Sequence, residues 1–344
     1  GSSGYAGCLV GYKQGGTISN SHATGNVSST DSYVGGLVGA QQGGTAKINN
    51  SYSIINGIIR GTSYVGALVG QVTNSVTNSY SIVDTAAILN GTSNVGFMGS
   101  NNGIVNNSYL TIRNPTFGNI TFLTWNVTVT GGNLLGNIII GNNSAFVNST
   151  AQRGLNKSAN ITLNLAGWEI TKPYTLKDGN SCFAPSCNIL SYAGINGIIV
   201  FNVSSWSNYS IGDDLNAPNA TIISPQNATL TANQTINFTI NLSDTGSGLA
   251  NATLSVYNSS GLYNQTTRTL GGTPALLGIP VYLVGGIYHW FWNIFDYVGN
   301  FVSTQNQAGV GNYTIQIDAN SPTINITYPL SITYTTIITG LNYS

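Results

Sequence analysis

Two short signatures recur along the first 110 residues, and the period they share constrains the fold more than any other feature of this chain. The first runs Tyr5-Ala-Gly-Cys-Leu-Val-Gly11, Tyr33-Val-Gly-Gly-Leu-Val-Gly39, Tyr64-Val-Gly-Ala-Leu-Val-Gly70 and, degraded, Asn94-Val-Gly-Phe-Met-Gly99. Its starting points lie 28, 31 and 30 residues apart. The second is Asn20-Ser-His, Asn50-Ser-Tyr, Asn78-Ser-Tyr and Asn107-Ser-Tyr, at intervals of 30, 28 and 29 residues. A unit this short cannot bury its own apolar face and must stack on copies of itself. Each unit reads as two short strands, one around Leu-Val-Gly and one around Asn-Ser-Tyr, joined by Gly- and Asn-rich turns. That is one coil of a β-solenoid. Stacked coils lie about 4.8 Å apart, so Asn20, Asn50, Asn78 and Asn107 are expected to form a ladder along the axis.

The rest of the composition agrees with an all-β chain. Asn, Ser, Thr and Gly supply its polarity and are poor in helix interiors, and no stretch shows a helical period. With 41% hydrophobic residues and 19 Tyr, the chain can bury a core. Its 344 residues suffice for two or three domains. Charged residues make up only 5%, nine basic against nine acidic. No net field exists to attract nucleic acid or an anionic membrane.

An uncharged surface lacks the repulsion that keeps molecules apart in solution, so something else must hydrate it. About two dozen Asn-x-Ser/Thr sequons are present, among them Asn26, Asn90, Asn126, Asn160, Asn202, Asn227, Asn258, Asn312 and Asn325. A chain rich in Asn, Ser and Thr also makes sequons by composition. Taken with the missing charge, the set points to a protein outside the cell that carries N-linked glycans and needs no other cofactor. Cys182 and Cys187 frame a six-residue loop, and a disulfide closing it suits an oxidising exterior. Cys8 reads as a small core side chain. The chain opens without an initiator Met or signal peptide, as a processed or partial product would.

The pairing of Gly-Gly-Leu-Val-Gly with Asn-Ser-Tyr-Ser or Asn-Ser-His-Ala-Thr-Gly-Asn-Val resembles the GLUG motif, found in large secreted and cell-surface proteins of bacteria and archaea. The match covers residues 1–111. The fourth copy departs from it, with Asn94 in place of Tyr and Phe97-Met98 in place of Leu-Val. Residues 112–212 keep the texture without the motif, and more irregular coils are expected there, closed by a cap over Trp168 to Tyr209. From 213 to 318 strands come at short intervals, as in a sandwich. The runs Ser243-Asp-Thr-Gly-Ser-Gly-Leu and Phe295-Asp-Tyr-Val-Gly-Asn300 resemble the immunoglobulin-like modules repeated in archaeal and bacterial surface proteins. The uncharged stretch Thr273 to Phe295 has the length of a membrane span, but its prolines and glycines and the alternation of Tyr288, Trp290, Trp292 and Ile294 indicate a buried hairpin. Residues 319–344 begin like a further module and stop, leaving a strand that either belongs to a missing module or adds to a neighbouring subunit.

Catalysis finds little support. Glycoside hydrolysis needs two carboxylates about 5–10 Å apart, and Asp31, Asp84, Glu169 and Asp178 are not paired at coil spacing. Lys13, Lys47 and Arg60 have no acidic cluster beside them for lyase chemistry. His22 takes the Tyr slot of a repeat and His289 lies in a strand, so both read as structural. Asp244 and Asp296 fall in loops where calcium or simple turn formation would each use an Asp; Asp213 and Asp214 are equally ambiguous. The expected role is a non-enzymatic structural subunit of an extracellular surface filament, partnered by copies of itself. The rival readings are an adhesin for cells or surface polysaccharide and a surface-layer component.

Overall fold

In the computed structural model the recurring valines, leucines and isoleucines of the repeats turn inward along one continuous core. The structure describes residues 4–305, 312–320 and 325–328, and scattered positions beyond. It is all-β and falls into two units, Gly1–Asn216 and Ala217–Ser344.

One coil shows how the repeat folds. Ser63–Val72, Ser75–Thr77, Tyr80–Asp84 and Ile88–Gly91 are its four strands. Each pairs in parallel with its equivalents in adjacent coils: Ser75 aligns with Lys47 and Ile104, Tyr80 with Tyr52 and Tyr109, Ile59 with Leu89. The result is a β-solenoid of about four turns. A coil has four strands where the sequence suggested two, because ladder strands of three or four residues are too short to show an alternation of their own. In the Gly-x-Leu-Val segment the register shifts between Gly66 and Val69, a β-bulge that turns Leu68 and Val69 inward together, both fully buried. Glycine is required at the bulge by close approach: a Cβ on Gly66 would stand 1.8 Å from the Val69 carbonyl oxygen.

Burial rises along the stack. Val38, Ile48 and Ile59 of the second coil are at 0% exposure, whereas their counterparts Val10, Ile18 and Val27 in the first coil are half-buried. Among the described residues, the strands of that first coil pair on one side only.

Residues 112–212 do not continue as coils. Gly118–Phe122 pairs antiparallel with the last coil's Tyr109–Asn114, Thr128–Val129 with Ser93–Asn101, and Gly132–Asn133 with Ile88–Gly91. Three of the four ladders thus end on antiparallel strands from 118–133, upstream of the cap expected over Trp168 to Tyr209. The sheet is instead extended by Ala159–Asn164 and then, from the Trp168 to Tyr209 stretch, by Ile198–Val203 and Cys187–Tyr192, and that stretch also contributes to a separate five-stranded antiparallel sheet.

In the second unit, Asn219–Ser224, Thr235–Ser243 and Ala275–Tyr282 form one sheet. The other runs in the order Thr229–Thr231, Tyr313–Ile317, Gly286–Asp296, Leu249–Asn258, Gly261–Thr269, with Phe301–Ser303 also on Gly286–Asp296. Both contribute to a single core holding Phe238, Ile240, Leu254, Trp290 and Trp292. The alternation read in the sequence is present, since Tyr288, Trp290, Trp292 and Ile294 are all buried. The expected hairpin is not: Ala275–Tyr282 and Gly286–Asp296 lie in different sheets, the chain crossing between them at Gly285-Gly286. Among the described residues no helix is long and apolar enough to cross a membrane. Of residues 319–344, part of the expected strand is described: Ile326–Tyr328 pairs antiparallel with Asn342–Tyr343 of the same chain, and most of the remainder lies outside the described residues.

Candidate functional site

The Asn-Ser signature marks a corner between two ladders. Asn20, Asn50, Asn78 and Asn107 all have φ between 45° and 50°, a left-handed conformation that Asn tolerates better than other residues with a side chain. A corner of this kind takes the next N–H out of the regular ladder, and the following serine repairs it. The N–H of Ser21 donates to Ser51 Oγ at 3.2 Å, that of Ser51 to Ser79 Oγ at 3.1 Å, and that of Ser79 to Ser108 Oγ at 3.1 Å. Each of these hydroxyls donates in turn to the carbonyl two residues upstream in its own coil. Asn107 Nδ2 donates to Asn78 Oδ1 at 2.8 Å, so part of the asparagine row is itself hydrogen-bonded. The Tyr-Val-Gly signature has its own left-handed corner at Tyr33, Tyr64 and Asn94, with φ of 65°, 54° and 51°. Asn94, a departure from the motif by sequence, thus preserves its backbone.

Next to each corner an aromatic column forms. His22, Tyr52, Tyr80 and Tyr109 stack with centroids 5.0, 4.9 and 5.3 Å apart and planes within 7° of parallel. Tyr5, Tyr33 and Tyr64 make a second column at 5.3 and 5.0 Å, which stops where Asn94 replaces the ring. Within a column each ring covers its neighbour's face. Edges and hydroxyls look outward, so a sugar cannot stack on the column's flank; a ring face is offered only at an end.

At the end of the first column the chain turns into the antiparallel strand Gly118–Phe122, and no fifth ring follows Tyr109. A groove of about 350 Å³ opens there, lined by Asn107, Ser108, Tyr109, Thr121, Leu123, Thr124 and Trp125. Tyr109 is exposed, whereas Tyr52 and Tyr80 are half-buried. The solenoid motif led to Tyr109 and Asn107, but Thr121 and Trp125 come from outside the repeats. The lone Trp125 beyond the last coil was the available signal.

The remaining candidates are placed as follows. Cys182 and Cys187 form a disulfide with Cα atoms 5.6 Å apart, and Cys8 packs half-buried against the core, where burial pushes its thiol pKa up. Of the sequon asparagines, Asn26, Asn126, Asn227 and Asn325 are exposed; Asn90, Asn160, Asn202, Asn258 and Asn312 are half-buried. Asn227 Oδ1 also accepts from the Thr314 N–H, and Asn312 Oδ1 is shielded from solvent.

Asp244 and Asp296 are brought together, each with a carboxylate oxygen within 4.8 Å of the other's. Asp244 Oδ2 accepts from Gly246 and Gly248, and Asp296 Oδ1 from Val298 and Asn300, so both shape their own turns. Asp213 accepts from the backbones of Thr171 and Lys172, and Asp214 Oδ1 from that of Asn216. Asp84 takes a bidentate contact from Arg113 in the next coil, which raises the Arg113 pKa. Asp178 accepts from Ser207 and Asn208, and these bonds hold its carboxyl below the usual range. No protein-family model and no curated protein sequence matches the chain.

Proposed function

We propose that this chain is an N-glycosylated structural subunit of an extracellular surface filament of an archaeon or bacterium. The observation that carries the reading is the stack of in-register coils under an almost uncharged surface. Its interior is filled with valine, leucine and isoleucine, and its regular features, the serine relay and the aromatic columns, serve the stack itself. A fold that spends its sequence on coil-to-coil contact suits a load-bearing spacer. The repeats are read as GLUG repeats. The second unit is read as an immunoglobulin-like sandwich, supported by its two facing sheets and by a first strand split between them, Asn219–Ser224 on one and Thr229–Thr231 on the other. Subunits join head to tail, the segment 319–344 of one adding a strand to the next, an arrangement that generates an open polymer.

Electron microscopy of the purified chain tests this. Filaments are expected, and a form ending at Asp318 should remain monomeric. Uniform monomers from the full chain would reject the filament, two-dimensional sheets would make it a surface-layer component, and filaments from the shortened form would remove the strand-addition step. Glycopeptide mass spectrometry should find glycan on exposed Asn26 and Asn126; bare asparagine at every sequon would remove the glycoprotein reading.

A further inference from the structure

We propose that the groove at the end of the His22–Tyr52–Tyr80–Tyr109 column binds one pyranose ring of a neutral glycan, stacked on Tyr109 as the next member of the column. The inference does not depend on whether the chain polymerises.

Three features select this ligand. The first is shape. The column advances by one flat ring about every 5 Å, and its end rings His22 and Tyr109 are exposed, but the groove opens at Tyr109. A flat ring of similar width placed against it continues the stack, and Trp125 and Leu123 supply further apolar wall. The second is charge: none of the seven lining side chains is ionisable near neutral pH, so nothing there would select a phosphate, a carboxylate or an amine.

The third is the sense of the hydrogen bonds. The Asn107 amide nitrogen donates one of its two N–H groups to Asn78, leaving the other N–H and the carbonyl oxygen at the corner. Thr124 Oγ1 donates to Asn126 Oδ1 at 2.7 Å, and Thr121 Oγ1 is paired with Thr111 Oγ1 at 3.0 Å. The lining therefore offers carbonyl and hydroxyl lone pairs together with an amide N–H, and a ligand hydroxyl, which both donates and accepts, can meet either. An aromatic ring would bury four polar side chains, those of Asn107, Ser108, Thr121 and Thr124, without replacing their water. A pyranose presents a C–H face to Tyr109 and a rim of hydroxyls to the asparagine and threonines.

The test uses the full chain made in a host without N-glycosylation, so that Asn126 beside the groove is bare. Saturation-transfer NMR is run with the methyl pyranosides of glucose, galactose and mannose and with N-acetylglucosamine. At least one should bind with a Kd of order millimolar. Trp125→Ala should weaken it about tenfold. Asn107→Gly, which retains the left-handed corner, should also weaken it and serves as the readout where Trp125→Ala unfolds. Asn50→Gly, two coils earlier at the same left-handed corner, should leave binding unchanged. The proposal is overturned if none of the four sugars shows transfer, if binding survives both groove substitutions in folded protein, or if p-cresol or indole binds and no sugar does.

Discussion

The inner repeat coils and the second unit both take apolar side chains fully out of water, by opposite means. In a coil the limiting quantity is backbone distance. Gly35, Gly66, Gly70 and Gly99 each face a backbone atom of the same or a neighbouring coil within 2.4 Å of where a Cβ would sit, and the core behind them is made of medium-sized aliphatic residues. In the second unit the limiting quantity is side-chain volume. Two tryptophans fill the space between its sheets, Trp290 lying edge-on to Phe238 at 5.0 Å, and the facing strands need no such close approach. A coil therefore depends on its neighbours, whereas the second unit closes its core within itself.

The largest effect expected from this contrast is in the second unit. Trp290→Ala, at 0% exposure, should cost about 4 kcal/mol in a denaturant titration; a cost near that of a surface substitution would mean that the two sheets do not share a packed core. Next comes a paired glycine comparison. Gly66→Ala forces a Cβ against the Val69 carbonyl and should cost about 3 kcal/mol. Gly278→Ala meets only the movable amide of Asn237 at 2.9 Å and should stay within about 0.5 kcal/mol. Equal costs would erase the distinction between the regions. At the corners, Asn78→Ala should cost about 1 kcal/mol for its left-handed backbone, and Asn78→Gly less, since glycine keeps the conformation.

The smallest effect is a dependence on alkaline pH. Burial first, then the neighbouring phenols Tyr52 and Tyr109, push the Tyr80 pKa up. A pKa raised by folding means stabilisation that is complete below the unfolded value of about 10 and lost as pH rises through the folded one. Thermal midpoints should fall above that pH, and Tyr80→Phe should make the fall shallower. An unchanged slope in Tyr80→Phe would place the effect in Tyr192, Tyr209 and Tyr288, which are raised as well.

Much of the solenoid was legible because a coil cannot vary its corners freely. Asn at a left-handed position and Ser at the N–H that follows leave a spaced signature, and Gly at the bulge leaves another. The antiparallel ending at 118–133 was not legible, since Ile120-Thr-Phe122 has the same local composition whether its partner runs parallel or antiparallel. Nor was the separation of Ala275–Tyr282 from Gly286–Asp296, because a glycine pair serves a crossing between sheets as well as a tight turn. The groove was half legible: Asn107 and Tyr109 belong to the repeat, but Trp125 and Thr121 reach it only through the antiparallel return.

Hydrogen exchange across the intact chain tests most directly the claim that a coil owes its stability to neighbours on both sides. Backbone amides around Val38 and Val69 should exchange at least about tenfold more slowly than those around Val10, although the three segments share one sequence motif. Equal protection in the first and third coils would contradict the account and make each coil stable on its own.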